Sequence, residues 1–174
     1  MSTVAGLLKG TPPIVNPQYL PAPYNIRYGS FGSTQTQTVL GANQATAITH
    51  NTTFIANGVD YDPANPSHVR ITADGVYKVS YSVQLDKAGG GNSTCDIWIA
   101  IDGAPVPASA SRCVVAGQTG ETFPMCEYIF QLNAGQYFQV IFASPDNSMA
   151  ATRFAANGVY PEVPSIITNV IQIS

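Results

Sequence analysis

The residues with the most reactive side chains lie in and after a glycine-rich turn, QLDKAGGGNSTCDIWIAIDG, at positions 84–103. Cys95, Asp96 and Asp102 accompany Trp98, the single tryptophan of the chain. A thiol or a carboxylate acts as a nucleophile or a general base only when a partner of matched pKa lies within hydrogen-bonding reach. No histidine follows or precedes this stretch closely, so the faces of the surrounding strands decide what these groups can do.

The remaining groups do not form a recognisable catalytic or metal-binding pattern. His50 and His68 are far apart in sequence and do not make the His-x-His pair that metal-binding β-barrels of the cupin type require. Cys113 follows Arg112, which favours a thiolate, but no neighbouring histidine completes a nucleophile–base pair. A G-x-S-x-G elbow does not occur, and AGGGNST lacks the lysine of a phosphate-binding loop. We expect a protein that is not an enzyme and has neither a cofactor nor a bound metal.

Two carboxylate patterns keep weaker chemical alternatives open. Asp60 and Asp62 begin the segment DYDPANPS with an Asp-x-Asp pattern that offers oxygen ligands to calcium. The segment lacks the glycine and the terminal glutamate of an EF-hand loop, so a turn capped by aspartate side chains is the favoured interpretation. Glycoside hydrolysis requires a pair of carboxylates, and any chain with ten acidic residues contains some pair by chance. The candidates here are Asp60, Asp62, Glu121, Glu127 and Glu162.

Three cysteines, Cys95, Cys113 and Cys126, are present and form no C-x-x-C pair. The chain has 174 residues and is long enough to bury a core without disulfide bonds. The cysteines are therefore predicted to be buried free thiols that pack as small hydrophobic residues. A single Cys113–Cys126 bridge across adjacent strands is the alternative.

Charged residues are scarce, at 10% of the sequence, where about 25% is typical of soluble domains. A surface of uncharged polar residues gives little repulsion between copies, which favours a protein packed against neighbours. The net charge of −3, with seven lysines and arginines and no basic cluster, argues against nucleic acid as a partner. The sequence has no apolar run of bilayer length, and its start, MSTVAGLLKG, has no secretion-signal pattern, so membrane insertion and secretion are not expected.

Residues 1–27 differ in composition from the rest and include the proline-rich stretch TPPIVNPQYLPAPYNIR. Proline fixes φ and removes an amide donor, so this stretch is predicted to be an extended or polyproline-like arm. It carries more apolar side chains than a solvated linker, and these are the candidates for docking on another surface: Ile14, Val15, Tyr19, Leu20 and Tyr24. An arm that folds back on its own domain is the alternative.

Residues 28–174 consist of short alternating runs separated by Gly, Asn, Asp and Pro. In GVYKVSYSVQLDK, one face holds only apolar residues, namely Tyr77, Val79, Tyr81, Val83 and Leu85. In STCDIWIAI, the same alternation puts Cys95 in the apolar row and turns Asp96 and Trp98 to the opposite face. The three glycines between these strands are predicted to reverse the chain, because glycine accepts positive φ values.

The pattern predicts a single all-β head domain of about nine or ten strands, with no segment of helical period. A two-sheet jelly-roll sandwich closes such a chain economically. The stretch NGVDYDPANPS, at 57–67, and the stretch 145–164 are predicted to be loops. The final run SIITNVIQI is predicted to be an interior strand.

The segments GVYKVSYSVQ, DIWIAIDG and LNAGQYFQVIF resemble, in order and spacing, the jelly-roll heads of the tumour necrosis factor and complement globular-head superfamily. The set YGSFGSTQTQ, QLDKAGGG, STCDIWIAIDG and GETFPMCEYIFQLNAGQYFQV is similar to modules in structural proteins of tailed phages and large DNA viruses. The resemblance covers about residues 28–174 and implies a jelly roll that forms a homotrimer, with a pentamer at a capsid vertex as the other arrangement. It departs at the N-terminus, where a proline-rich arm replaces a collagen-like Gly-X-Y stalk.

Trp98 and Ile141 lie opposite the main apolar rows of their strands, which is typical of strands covered on both sides. Cover by a neighbouring subunit is the favoured interpretation, and cover by a loop of the same chain is the alternative. The two residues are therefore the candidates for subunit contact.

The leading hypothesis is a non-enzymatic virion structural protein, assembled in the host cytoplasm as a minor capsid, decoration or fibre-head component. Its head self-associates, and its arm attaches to other capsid or fibre proteins. The alternative is a receptor- or glycan-binding tip for host attachment. In that case Tyr61 and Tyr160, in predicted loops, would stack on a sugar.

Overall fold

The computed structural model describes residues 25–117 and 120–174. Most of the predicted arm lies outside the described residues, and so do its candidate docking residues Ile14, Val15, Tyr19, Leu20 and Tyr24. The described residues contain no helix and form these strands: β1 Tyr28–Ser33, β2 Gln37–Thr38, β3 Thr46–Ala47, β4 Thr52–Asn57, β5 Val59–Asp62, β6 Asn65–Ile71, β7 Gly75–Val83, β8 Leu85–Lys87, β9 Ser93–Ile101, β10 Ala104–Pro105, β11 Ser111–Val115, β12 Met125–Leu132, β13 Tyr137–Ala143, β14 Met149–Ala151 and β15 Ile166–Gln172.

The strands form three antiparallel sheets. The five-stranded sheet has the order β12-β7-β15-β1-β4. The seven-stranded sheet has the order β10-β9-β13-β6-β5, with β11 also paired to β9 and β3 paired to β13. A small sheet has the order β2-β14-β8. The final strand β15 lies in the interior of its sheet between β7 and β1, as predicted from its β-branched composition.

One hydrophobic core lies between the inner faces of the two larger sheets. The predicted row of β7 is confirmed, because Tyr77, Val79 and Tyr81 are buried while the alternate residues are partly exposed. The row of β9 is confirmed as well, with Cys95 and Ile97 buried in the same cluster. Apolar rows that face each other across one core give an arrangement consistent with a β-sandwich.

Successive long strands belong to opposite sheets over much of the chain. The connections β6 to β7, β11 to β12, β12 to β13 and β13 to β15 all cross between the five-stranded and the seven-stranded sheet. The order of strands in each sheet therefore differs strongly from their order in sequence.

Two predicted loops are wrong in part. Within 57–67 the chain forms a hairpin, since β5 pairs with β6 and turns after Asp62, whose carboxylate accepts a hydrogen bond of 2.9 Å from the Ala64 amide. The predicted turn capped by an aspartate is thus confirmed inside a hairpin. Within 145–164, β14 pairs with both β2 and β8. Strands of two or three residues show no sequence period, so the predicted nine or ten strands omitted the short ones.

Candidate functional site

Trp98 and Ile141 are adjacent on the outer face of the seven-stranded sheet, because the register of β9 and β13 pairs them directly. On the other side Ile141 pairs with Ala47 of β3. Ile141 is 8% exposed within the single chain, whereas Trp98 is half-buried. The same chain therefore covers most of Ile141, and Trp98 retains accessible surface for a partner.

A pocket of about 620 Å³ opens beside Trp98, and we call it the Trp98 pocket. Its lining is Asp96, Trp98, Pro105, Val106, Ala110, Ser111 and Arg112. Strands β10 and β11 both pair with β9, so the segment that joins them flanks the tryptophan on the outer face. The alternation in β9 correctly predicted that Trp98 lies on this face. The segment between β10 and β11, which forms the apolar wall of the pocket, shows no alternation, so the sequence did not predict the pocket.

An ion pair forms the polar rim of the Trp98 pocket. Arg112 Nε and Nη2 donate to the two carboxylate oxygens of Asp96 at 2.7 Å and 2.8 Å, which is a bidentate arrangement. The guanidinium holds the pKa of Asp96 below its ordinary value, and the carboxylate raises the pKa of Arg112. Both groups are charged at neutral pH and cancel each other. The rim consequently suits an uncharged ligand better than an ion.

The outer face of the five-stranded sheet exposes a set of large apolar side chains, which we call the apolar outer face: Ile55, Met125, Ile129 and Ile171. Ile129 in the edge strand β12 is 63% exposed. Lys78 and Glu127 are the only formally charged residues in the five strands, and they pair with each other at 2.7 Å. The face therefore carries no net charge, and its exposed apolar side chains alternate with polar ones such as Ser80 and Asn169.

The three cysteines approach one another where β11 meets β12, and none is bonded to another. Cys95 lies directly across from Cys113 in the β9–β11 ladder, and Cys126 Sγ lies 3.2 Å from Ser111 Oγ. The hydrogen bond with Cys113, together with burial, raises the pKa of Cys95, so this thiol is protonated at neutral pH. The prediction of free thiols is confirmed and the alternative Cys113–Cys126 bridge is absent, but only Cys95 is buried, whereas Cys113 and Cys126 are partly exposed.

The two histidines lie in different environments. His50 is buried, and its Nε2 lies 2.9 Å from Thr168 Oγ1; burial lowers its pKa to about 4. His68 stacks on Tyr137 with ring centroids 3.7 Å apart. In residues 25–117 and 120–174, no group of three or more His, Cys, Asp or Glu side chains is arranged to hold a metal ion.

The two candidate ligand-binding tyrosines also differ. The ring of Tyr61 packs edge-on against Phe31 at a centroid distance of 6.0 Å and lies 6.3 Å from His50, so it anchors the β5–β6 hairpin. Tyr160 lies in the segment between β14 and β15, is 46% exposed and follows Val159, which is almost fully exposed. Tyr160 is thus the more accessible of the two for contact with a ligand.

Lys87 is a buried charge that the sequence analysis missed. Its side chain is 2% exposed, and its ammonium lies 2.8 Å from Asp146 Oδ2. The ammonium also donates to the carbonyl oxygen of Gly91 at 3.1 Å, and the carbonyl oxygens of Gly89 and Gly90 lie at 3.5 Å and 3.4 Å. The lysine therefore closes the glycine turn from inside. Lys87 continues the period-two row of buried residues that runs from β7 through Val83 and Leu85. Because lysine is charged, this position was not predicted to be buried.

These strands and surfaces define an all-β protein built from antiparallel sheets and consistent with a β-sandwich. Neither a scan against models of protein families nor a search of curated proteins gave a match to this chain. Among the described residues, no helix has the length and apolar character needed to cross a membrane.

Proposed function

We propose that this protein is a non-enzymatic virion structural protein whose jelly-roll head self-associates and whose N-terminal arm attaches it to other capsid or fibre proteins. A minor capsid, decoration or fibre-head component fits this description. The observation that carries the proposal is the apolar outer face, a charge-neutral surface with exposed side chains such as Ile129. Monomeric soluble proteins rarely leave large contiguous apolar patches in water.

The topology supports the jelly-roll part of the proposal. A jelly roll consists of two antiparallel sheets linked by Greek-key connections, so its strands alternate between the sheets. The crossings from β6 to β7 and from β11 through β13 to β15 have this character. The resemblance to viral jelly-roll modules supports the virion part, together with the low fraction of charged residues.

Burial of the apolar outer face provides the free energy of assembly. Each of its half-exposed side chains contributes about 1 to 2 kcal/mol when it is removed from water. Association costs translational and rotational freedom of at least about 4 kcal/mol, so several such side chains must be buried together. The pair of Lys78 and Glu127 enters the contact without leaving an isolated charge. In a closed ring of three copies, every copy buries its apolar outer face, and a ring of five copies is the alternative.

Replacing Ile129 by lysine is expected to weaken self-association by about tenfold or more. The new ammonium loses the apolar contact and lies across from Lys78, which pairs directly with position 129 in the β7–β12 ladder. Native mass spectrometry across a dilution series measures the change. Leu40→Lys is the matched control, because Leu40 is 75% exposed but lies between β2 and β3, away from this sheet.

An Ile129→Lys protein that keeps the wild-type oligomer at every concentration would contradict self-association through this face. The virion part of the proposal has a separate test, which is whether the protein co-purifies in fixed stoichiometry with particles. Its absence from purified particles would remove that part and leave the self-association intact.

The exposed loop at Tyr160 favours a second candidate function, a receptor- or glycan-binding tip. Aromatic rings that are accessible at a loop stack on sugar rings or pack against a receptor. Tyr160→Ala is expected to abolish binding to host cells or to an immobilised glycan without a change in melting temperature. Tyr61→Ala should instead lower the melting temperature, since Tyr61 packs against Phe31. Equal glycan binding by wild type and Tyr160→Ala would exclude this loop.

A further inference from the structure

We propose that the Trp98 pocket is the docking site for residues 11–24 of a neighbouring copy of this chain. The inference rests on the proposed self-association and names the surface on which the arm would dock. It concerns the outer face of the seven-stranded sheet, whereas the apolar outer face belongs to the five-stranded sheet. The two contacts can thus be disrupted independently.

The chemistry of the pocket matches that of the segment. Trp98 and the apolar side chains of Pro105, Val106 and Ala110 form its wall. The segment TPPIVNPQYLPAPY, at 11–24, is rich in proline and contains no charged residue. Proline-rich segments dock on aromatic-lined grooves, because their rings stack on the aromatic face and little chain entropy remains to be lost.

The polar rim also favours an uncharged peptide. Asp96 accepts from Nε and Nη2 of Arg112, which leaves other guanidinium N–H groups free to donate. The carbonyl oxygens of a proline-rich segment are accessible acceptors, since they make no hydrogen bonds within the segment. Arg112 is 69% exposed at its side chain and is therefore open to such a contact. An anionic or cationic ligand would meet the like charge of the pair as well as the opposite one, so its net attraction to the rim would be small.

The segment leaves the head at the edge of the sandwich that is remote from the pocket. Asn57, at the end of the edge strand β4, donates to the carbonyl of Ile26 at 2.8 Å and to the side chain of Asn25 at 2.9 Å. Strand β4 continues through Gly58 into β5, the edge strand of the seven-stranded sheet. The pocket lies by β9, β10 and β11 at the other end of that sheet.

This separation favours a neighbouring copy over the same chain. The path from β5 to β10 crosses four inter-strand spacings, about 19 Å, and fourteen residues of polyproline conformation span about 43 Å. Length permits both routes, but docking on its own head requires the segment to turn around the domain. Copies placed edge to edge bring the start of one arm beside the next pocket. Such a head-to-tail contact repeats from copy to copy, and it forms a ring when the rotation between copies closes.

The single tryptophan makes the docking measurable in the full-length protein, because Trp98 is the only tryptophan that acrylamide can quench. Quenching is measured together with native mass over a dilution series. We expect Tyr19→Ser/Leu20→Ser to raise the quenching constant by about twofold at concentrations where wild type is oligomeric, since a pocket ligand covers most of its site. Val159→Ser, an exposed apolar change outside the arm, is the control and should leave quenching unchanged. Excess synthetic peptide 11–24 should restore protection in the Tyr19→Ser/Leu20→Ser protein.

The other outcomes each decide the question. If the protein is oligomeric and the arm substitutions do not change the quenching constant of Trp98, the docking proposal is wrong and the proposed self-association is unaffected. Protection that is the same in the dilute monomer as in the oligomer assigns the pocket to the chain's own arm. Protection restored by oligosaccharides and not by the peptide assigns it to a glycan. A monomer at every concentration refutes the proposed self-association and the neighbouring copy with it.

Discussion

Lys87→Met is expected to lower the free energy of unfolding by about 3 kcal/mol, since removal of one partner from a buried ion pair leaves the other without compensation. The substitution retains much of the side-chain volume and removes only the ammonium. Asp146 then loses its contact at 2.8 Å, and the carbonyl of Gly91 loses a donor at 3.1 Å. Asp146 is partly exposed and regains some hydration, which keeps the loss near the lower end of the range for buried pairs.

Arg153→Met is the matched control for this substitution, because the pair of Arg153 and Glu162 lies outside the apolar outer face. Their contact distance is similar, 2.6 Å, but both side chains are exposed. Exposed pairs of this kind contribute between about 0 and 1 kcal/mol. Urea unfolding of both variants separates the effect of burial from that of pairing. Equal effects of the two substitutions would contradict a structural role for the buried ammonium.

The pair of Lys87 and Asp146 also determines the pH below which its stabilisation of the fold is lost. The hydrogen bond from Lys87, and further ones from Ser148, lower the pKa of Asp146 to about 2. A carboxylate whose pKa is depressed in the folded state stabilises the fold above the pKa of the unfolded chain, near 3.9. Its contribution is lost as the pH falls from about 4 towards 2. In the Lys87→Met protein, the free energy of unfolding should fall less between pH 4 and pH 2, because the hydrogen bond from Lys87 no longer lowers the pKa of Asp146.

Unfolding of the wild-type protein is expected to become easier by about 3 kcal/mol between pH 7 and pH 4 because of His50 alone. Burial lowers the pKa of His50 from 6.5 to about 4, so the unfolded chain takes up a proton in this range and the folded chain does not. Stability that depends on neutral His50 is therefore complete above pH 7. It decreases as the pH falls through 6.5 and levels off below about 4.

His50→Gln should remove this dependence. Glutamine keeps an amide that can bond to Thr168, as the Nε2 of His50 does at 2.9 Å, but it does not titrate. Denaturant unfolding at several pH values between 4.5 and 7.5 gives the slope for each protein. An unchanged slope in His50→Gln would assign the acid sensitivity to other groups.

The predicted rows of β7 and β9 were confirmed because side-chain alternation is a property of each strand by itself. Tyr77 and Cys95 are buried for the reason the sequence supplies, namely their place in an apolar row of period two. The four-residue strand β5 and the three-residue strand β14 were missed, since such short segments hold too little of a period and pair only when a partner strand is adjacent. Covered surface was harder to predict. Ile141 was correctly placed on the outer face, but its pairing partners Ala47 and Trp98 are distant in sequence, and its burial within the single chain was not predicted.

An all-β chain, its apolar rows, the glycine turn and the side of β9 on which Trp98 lies all follow from the residues alone. The contacts that those side chains make depend on how the strands pair. Asp146 reaches Lys87 because β14 pairs with β8, and the Trp98 pocket exists because β10 and β11 both pair with β9. Alternation along a strand is local, whereas the partners of a strand are set by pairing between segments far apart in the chain. For that reason the buried and outer faces of the strands could be predicted from the residues, whereas the buried ion pair and the Trp98 pocket could not.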